Sequence, residues 1–497
     1  MSDQDQEIAA FGSSYSGVLR MERLAQFCVD TRFEDLPPVL VAQAKRHILD
    51  TFGATLAGAG SEVAKQARLV FFDEKGNTPV WGTDWRVGAA QAAMLNGIAA
   101  HALELDDTGG CDHSGAVVLP AVMAAVSMSD RPINGREFIT AVVIGYEIGR
   151  RVLEACGSYS AHNGAGWHST ATCGVFGAAA ASARILGLDA AQTLSALGIA
   201  GSFSGGLWAF IHDGSQSKKL HSGRAAEGGL LAARFAQRGI TGPTQLFEDV
   251  WGGFLKTLAG ETAVPEALDA QLGQVWKLAR CSIKPYAACR GTHSAIDALG
   301  VLLTQLQVGV DQVEDIQVSL CGFLQDMCGG QEVASLAAAQ MSLRYALAAR
   351  LVLGHCRLEA YDEAQRSDPR MAQWMSRIRL EVDRQLSEDG EPVVSLRTVD
   401  GRQASLCVEV PLGAPGNPLS NAALEEKFFS LAGRVLARGQ AEALLGQLWR
   451  LEELESIDTS IVPTLRVGMQ PGTLRVPEAD AERPMRHSHA ERGNDHH

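Results

Sequence analysis

The sequence predicts a mainly α protein with a large all-helical domain over residues 1–275 and a smaller α+β domain over 276–414, with 415–460 returning to the first. Two observations predict it. Before about residue 275, alanine, leucine and glycine dominate, and apolar positions recur every three or four residues, the spacing of one helix face. From residue 276 onward, Ile316, Val318 and Leu320 alternate with polar residues, as do Ile378, Leu380 and Val382, the spacing of a half-buried strand. At 497 residues, 46% hydrophobic and 20% charged, the chain can bury a sizeable core. That length suits two or three domains of about 100–200 residues each.

In chain order, Pro37 and Pro38 open a helix whose Val41, Ala44, His47, Ile48 and Phe52 share a face, and Gly58 and Gly60 end it. Ala90–Leu105 and Arg136–Ala155 read as two more helices. The run Gly177–Ala181 is small enough for helices to approach closely. Ser222 is a candidate cap for a helix through Ala225, Leu230 and Phe235 to Gly239, with Gly242-Pro243 marking the break. In the second part, Val394–Thr398 and Ser405–Val410 flank Asp400-Gly401, a hairpin-turn signal. Thr292–Gln307 and Leu336–Leu353 read as helices between strands, and Asn421–Glu455 reads as helix again. The residues from Thr473 to His497 carry four basic, five acidic and four histidine side chains with almost no apolar periodicity, and a disordered tail is expected there.

With 43 basic against 57 acidic residues the net charge is −14, which argues against a nucleic-acid binder that neutralises phosphates. No uninterrupted apolar run is long enough for a membrane span, and the polar start MSDQDQE lacks the pattern of a signal peptide, so a cytoplasmic protein without membrane association is expected. The ten cysteines are scattered and contain no C-x-x-C pair. Zinc ribbons, thioredoxin-type redox sites and iron–sulfur clusters therefore have no local support, and neither a metal nor an organic cofactor is expected. No dinucleotide-binding loop, Walker loop or nucleophile elbow is present.

Four polar clusters interrupt the apolar helical sequence. The first is His101-Ala-Leu-Glu104-Leu-Asp106-Asp107-Thr108-Gly-Gly-Cys111-Asp112-His113-Ser114. If the helix continues through Thr108, Glu104 shares a face with His101 and Thr108 while Asp106 points elsewhere, and Gly109-Gly110 lets a loop bring His113 back. His113 then suits general acid/base work. A solvated acidic cap and a carboxylate–histidine metal site are the competing readings. The second cluster, Asn163–Thr170, places His168 after a glycine turn, as a second acid/base or as a structural histidine. In the third, Asp213–His221, Lys218, Lys219 and His221 precede a helix and either bind an anion or are simply solvated. The fourth, Ile283–His293, puts Lys284, Arg290 and His293 at the domain junction, where clefts form. Together these cations on an acidic protein suggest a site for a small polycarboxylate.

These same segments resemble the MmgE/PrpD family over roughly residues 20–460, through HALELDDT…HSGAVVLPAV, GWH, SKKLHSGRAAEGGLLAA, GITGPTQLFE, GGFLK and IKPYAACRGTHSAID. The family includes 2-methylcitrate dehydratases, cis-aconitate decarboxylases and an iminodisuccinate epimerase. The resemblance implies a large helical domain, a smaller α+β domain and a homodimer. It also implies active-site residues at Glu104, Thr108, His113, His168, Lys218 and Lys284, and no cofactor. Glu104 departs from the aspartate common at that position, and its extra methylene moves a carboxylate by about 1 Å. The function expected is a lyase on a small di- or tricarboxylate, with His113, His168, Glu104 and Thr108 as catalytic groups and Lys218, Lys284, His221, Arg290 and His293 holding carboxylates. Dehydration stands ahead of decarboxylation. Epimerisation and non-catalytic carboxylate binding are the alternatives.

Overall fold

The computed structural model describes residues 19–457, and over them the chain is mainly α-helical with one four-stranded sheet. The tail expected from Thr473 lies outside the described residues. Helices Pro38–Gly58, Ala89–His101, Ser114–Val126, Gly135–Ala155, Gly174–Ile185, Ala190–Ser202 and Ser217–Gln237 make up most of the first part. Every residue of Ser114–Val126 is buried, as its uncharged Ala, Val, Leu and Met side chains require. Small residues set the spacing between helices. A Cβ on Gly223 would lie 2.4 Å from the Met94 carbonyl oxygen, so only glycine allows Ser217–Gln237 to pack this closely on Ala89–His101.

Two large apolar clusters lie within the described residues. One gathers Phe52, Trp81, Ile139, Phe176 and Leu230, and is joined by Leu424, Phe428, Leu444 and Leu448 from near the C-terminal end. Each such buried side chain contributes about 1.5–3 kcal/mol, which is what brings the last helices back onto the first part. The other cluster gathers Ile296, Leu299, Ile316, Val318, Leu347, Val394 and Leu396 around the sheet. The strand order is 378–382, 313–320, 393–398, 403–407. The first pair is parallel and the others antiparallel. Gly401, at φ +86°, makes the predicted hairpin turn, and its N–H donates to the Thr398 carbonyl.

Four local expectations change. The helix predicted to run to Leu105 or beyond ends at His101. Ser222 does not cap its helix, which starts five residues earlier at Ser217; instead its Oγ donates to the Gly97 carbonyl at 2.8 Å, tying two helices together. Leu336–Leu353 breaks into Leu336–Gln340 and Leu343–Leu353, because Ser342 accepts the Tyr345 N–H and starts a new helix. Asn421–Glu455 likewise divides into helices Asn421–Ala432 and Arg438–Trp449, followed by a short 3₁₀ turn.

Candidate active site

The segment from Ala102 to His113 links two buried helices and holds most of the polar groups of the site. Two of its non-glycine residues, Glu104 at φ +53° and Asp112 at φ +123°, lie in backbone conformations that cost energy and are kept by their surroundings. Asp107 supplies one anchor. Its carboxylate accepts the Gly115 N–H at the start of Ser114–Val126, the Tyr146 hydroxyl at 2.5 Å and the His47 Nδ1 at 2.9 Å. A second anchor is a β-bridge in which Thr108 and Ser282 exchange backbone hydrogen bonds. Gly109, at φ +95°, is needed here because a Cβ would meet the Arg280 carbonyl at 3.0 Å. Lys427 adds a third by donating to the Leu105 carbonyl at 2.7 Å and to Asp50 at 2.5 Å.

Glu104, lifted out of the helix, is buried against three ammonium groups. Lys218 Nζ lies 2.6 Å from Oε1, Lys284 Nζ lies 3.1 Å from Oε2, and Lys219 also pairs with Oε1. Burial works to raise the Glu104 carboxyl, but the three lysines outweigh it and hold it well below the usual carboxylate range. In return, Glu104 overcomes burial at Lys218 and Lys284 and raises both, whereas burial wins at Lys219 and brings it down to about 8. Three cations on one carboxylate leave an excess of positive charge in a dry place, the condition for holding an anionic ligand.

Beside this cluster, Asp106 accepts from His101 Nδ1 at 3.0 Å and lies 3.0 Å from His113 Nδ1, which also donates to the Asp107 carbonyl at 2.9 Å. The other ring nitrogen of His113, Nε2, is 3.4 Å from Asp112. Asp112 in turn takes the Thr108 hydroxyl at 2.9 Å. Burial alone would lower His113, but Asp112 and Asp106 reverse this and raise it, which favours the protonated ring. The other two histidines behave oppositely. Burial, only partly offset by Asp106, brings His101 down to about 3, and burial with His221 and Lys218 holds His168 well below its ordinary value. His101 and His168 are therefore neutral. Among the described residues, donor atoms of His101, Asp106 and His113 lie within 4.8 Å of one another, as do those of Asp112, His113 and His168, and each triplet could hold a cation.

A cavity of about 480 Å³ opens over these groups, with Glu104, Thr108, Asp112, His113, Lys218 and Lys284 in its wall. Of the residues singled out from the sequence, Arg290 also lines it, paired at 2.5 Å with Glu391. His168 lies behind the wall, its Nε2 3.8 Å from Asp112 and its Nδ1 2.9 Å from His221 Nδ1. His221 thus faces His168 rather than the cavity. His293 is set apart: its Nε2 meets the Ala288 carbonyl at 3.2 Å and its ring packs edge-on to Tyr286. Asp106, expected to point away, faces inward because the helix stops before it. Sequence reasoning raised Lys219 as an anion-binding candidate without giving it a role, and left out Asp112 and Trp208, whose ring lies 5.8 Å from Lys218 Nζ. Asp112 and Lys219 had a visible signal in their motifs; Trp208 had none.

Fold and site together define a mainly α protein with a buried cluster of histidines, carboxylates and lysines along a cavity. Comparison with known proteins shows its family. The MmgE/PrpD N-terminal domain matches residues 22–266 and the MmgE/PrpD C-terminal domain matches residues 286–451, so the chain belongs to the MmgE/PrpD family. A cis-aconitate decarboxylase of Aspergillus terreus is 30% identical over 87% of this chain and 92% of its own length. The cis-aconitate decarboxylase of Homo sapiens is 28% identical over 87% and 91%. The cis-aconitate decarboxylase-like protein oryM of Aspergillus oryzae is 33% identical over 68% and 74%. Among the described residues, no helix is long and apolar enough to cross a membrane.

Proposed function

We propose that this protein is a carboxy-lyase acting, without an organic cofactor, on an unsaturated tricarboxylate of the cis-aconitate kind. The observation that carries the reading is the convergence of Lys218, Lys219 and Lys284 on Glu104, with Glu104, Lys218, Lys284 and His113 sharing one cavity wall. The decarboxylases among its relatives move decarboxylation ahead of dehydration.

In such a substrate, the carboxylate on the saturated carbon leaves as carbon dioxide. The bond electrons form a new alkene to the central carbon, and the old alkene electrons take a proton at their far carbon. One proton enters and one carbon dioxide leaves. The lysines hold the two retained carboxylates and stabilise the charge that builds up as carbon dioxide departs. His113, through Nε2, gives the proton and recovers one from solvent. Glu104 keeps the lysines charged and in place, and Thr108 fixes the Asp112 carboxylate that faces His113. His168 acts on Asp112 from behind.

Incubation with cis-aconitate in deuterated water, followed by NMR, tests the proposal. The expected result is carbon dioxide release with one deuterium on carbon. Turnover of 2-methylcitrate to an alkene without carbon dioxide would make it a dehydratase, and solvent exchange on iminodisuccinate alone an epimerase. Binding without turnover would leave a carboxylate-binding protein.

A further inference from the structure

One wall residue of the cavity has no place in this chemistry. Cys289 lines the same space as Lys218 and Lys284. It is the residue immediately before the 3₁₀ turn Arg290–Thr292, which continues into helix His293–Leu306, so it lies at the positive end of a long helical segment. Its sulfur is 3.9 Å from Met327 Sδ. A hydrogen bond from Cys328, with Lys218 and Lys284 adding to it against the effect of burial, lowers the Cys289 thiol. Burial drives other thiols the opposite way, pushing Cys28 and Cys356 up to about 12. A thiol at a helix start, beside two cations and open to a ligand cavity, has the surroundings of a nucleophile.

We propose that Cys289 is a covalent-modification site for anionic electrophiles, in particular α,β-unsaturated dicarboxylates seated on Lys218 and Lys284. The thiolate sulfur bonds to the β-carbon, the alkene electrons move to the α-carbon, and that carbon takes a proton. Overall the thiol hydrogen and sulfur add across the double bond, with nothing oxidised and nothing leaving. The electrophile class deepens the proposed function, since an unsaturated carboxylate held for turnover would lie beside this thiol; the reactivity of Cys289 itself needs only the cavity and its cations.

The test compares iodoacetate with iodoacetamide on the intact protein, each rate normalised to the same reagent's rate with glutathione, with sites assigned by peptide mass spectrometry. Cys289 is expected to be modified first, with iodoacetate favoured by about 10- to 100-fold because the lysines concentrate the anion. The rate should rise through a midpoint below that of an ordinary thiol. Maleate should leave a thioether of one dicarboxylic acid on Cys289 and on no residue of a Cys289→Ser protein. Equal normalised rates for the two reagents, or first labelling at Cys321 or Cys407, would overturn the assignment. Labelling by iodoacetate without any maleate adduct would overturn the electrophile class. Labelling at Cys289 in a protein that turns over no carboxylate would keep the inference and remove the functional reading.

Discussion

Replacing Glu104 with Gln should destabilise the protein and make it depend on its ligand. The change keeps shape and removes one charge from a place where three ammonium groups are within ion-pair reach. At about 3 Å and an effective dielectric near 20, each pair gains roughly 5–6 kcal/mol of Coulomb energy, before the cost of burying the charges is subtracted. Breaking a buried pair by removing one partner typically costs about 3–5 kcal/mol, because the remaining charge has no compensation. That loss is expected in the E104Q protein, read as a lower urea midpoint. A tricarboxylate can supply the missing negative charge, so cis-aconitate or citrate should raise the melting temperature of E104Q more than that of the wild type. E104D keeps the charge and should stay close to wild-type stability. An E104Q protein as stable as the wild type, with no greater response to either anion, would show that the lysines do not form a charged receptor, and the proposed binding mode would fall with it.

Replacing His113 with Gln should lower turnover by roughly 10² to 10⁴ while leaving substrate affinity largely intact, as measured by steady-state kinetics and calorimetry. Because Asp112 and Asp106 outweigh burial and raise His113 above its ordinary value, activity should fall as pH climbs through that raised value. A profile of kcat against pH should show this descending limb, and a flat profile would take the acid role from His113. Lys284→Met removes one buried cation and should weaken carboxylate binding by about 1.5–3 kcal/mol, seen as a higher Kd in a folded protein. Activity should survive exhaustive chelation, because the Asp106 oxygens already meet His101 and His113 at 3.0 Å. Activity lost on chelation and restored by one particular metal would turn the triplets around His113 into a metal centre.

Where periodicity and punctuation agree, the sequence is sufficient. Pro38 at the start and Gly58 at the end of the helix Pro38–Gly58, the alternation in Ile316, Val318 and Leu320, and the Asp400-Gly401 turn all appear where local chemistry puts them. The segment after His101 is different, because Ala-Leu-Glu-Leu is good helical sequence. What stops the helix is distant: Gln340 and Lys284 take the carbonyls of Leu103 and Glu104, and Lys427 takes that of Leu105. Neighbouring elements override local preference there. The same limit applies to the site. Histidines and lysines within motifs mark the chemistry, but which ones face the cavity depends on packing, so His113, Lys218 and Lys284 reach it while His168 and His221 stop one layer short and His293 lies elsewhere.

The counter-ions of Glu104 stand far from it along the chain, 114 residues away at Lys218 and 180 at Lys284. Glu104 buried before Lys218 docks, or Lys284 buried away from Glu104, would leave a bare charge in a dry interior, so the finished cavity wall can close only after the second half of the chain has docked. A ribosome-bound fragment lacking residue 284 must therefore keep this region open and hydrated. A polyanion present during refolding would lower the charge penalty at that last step and act as a template for the enzyme's assembly.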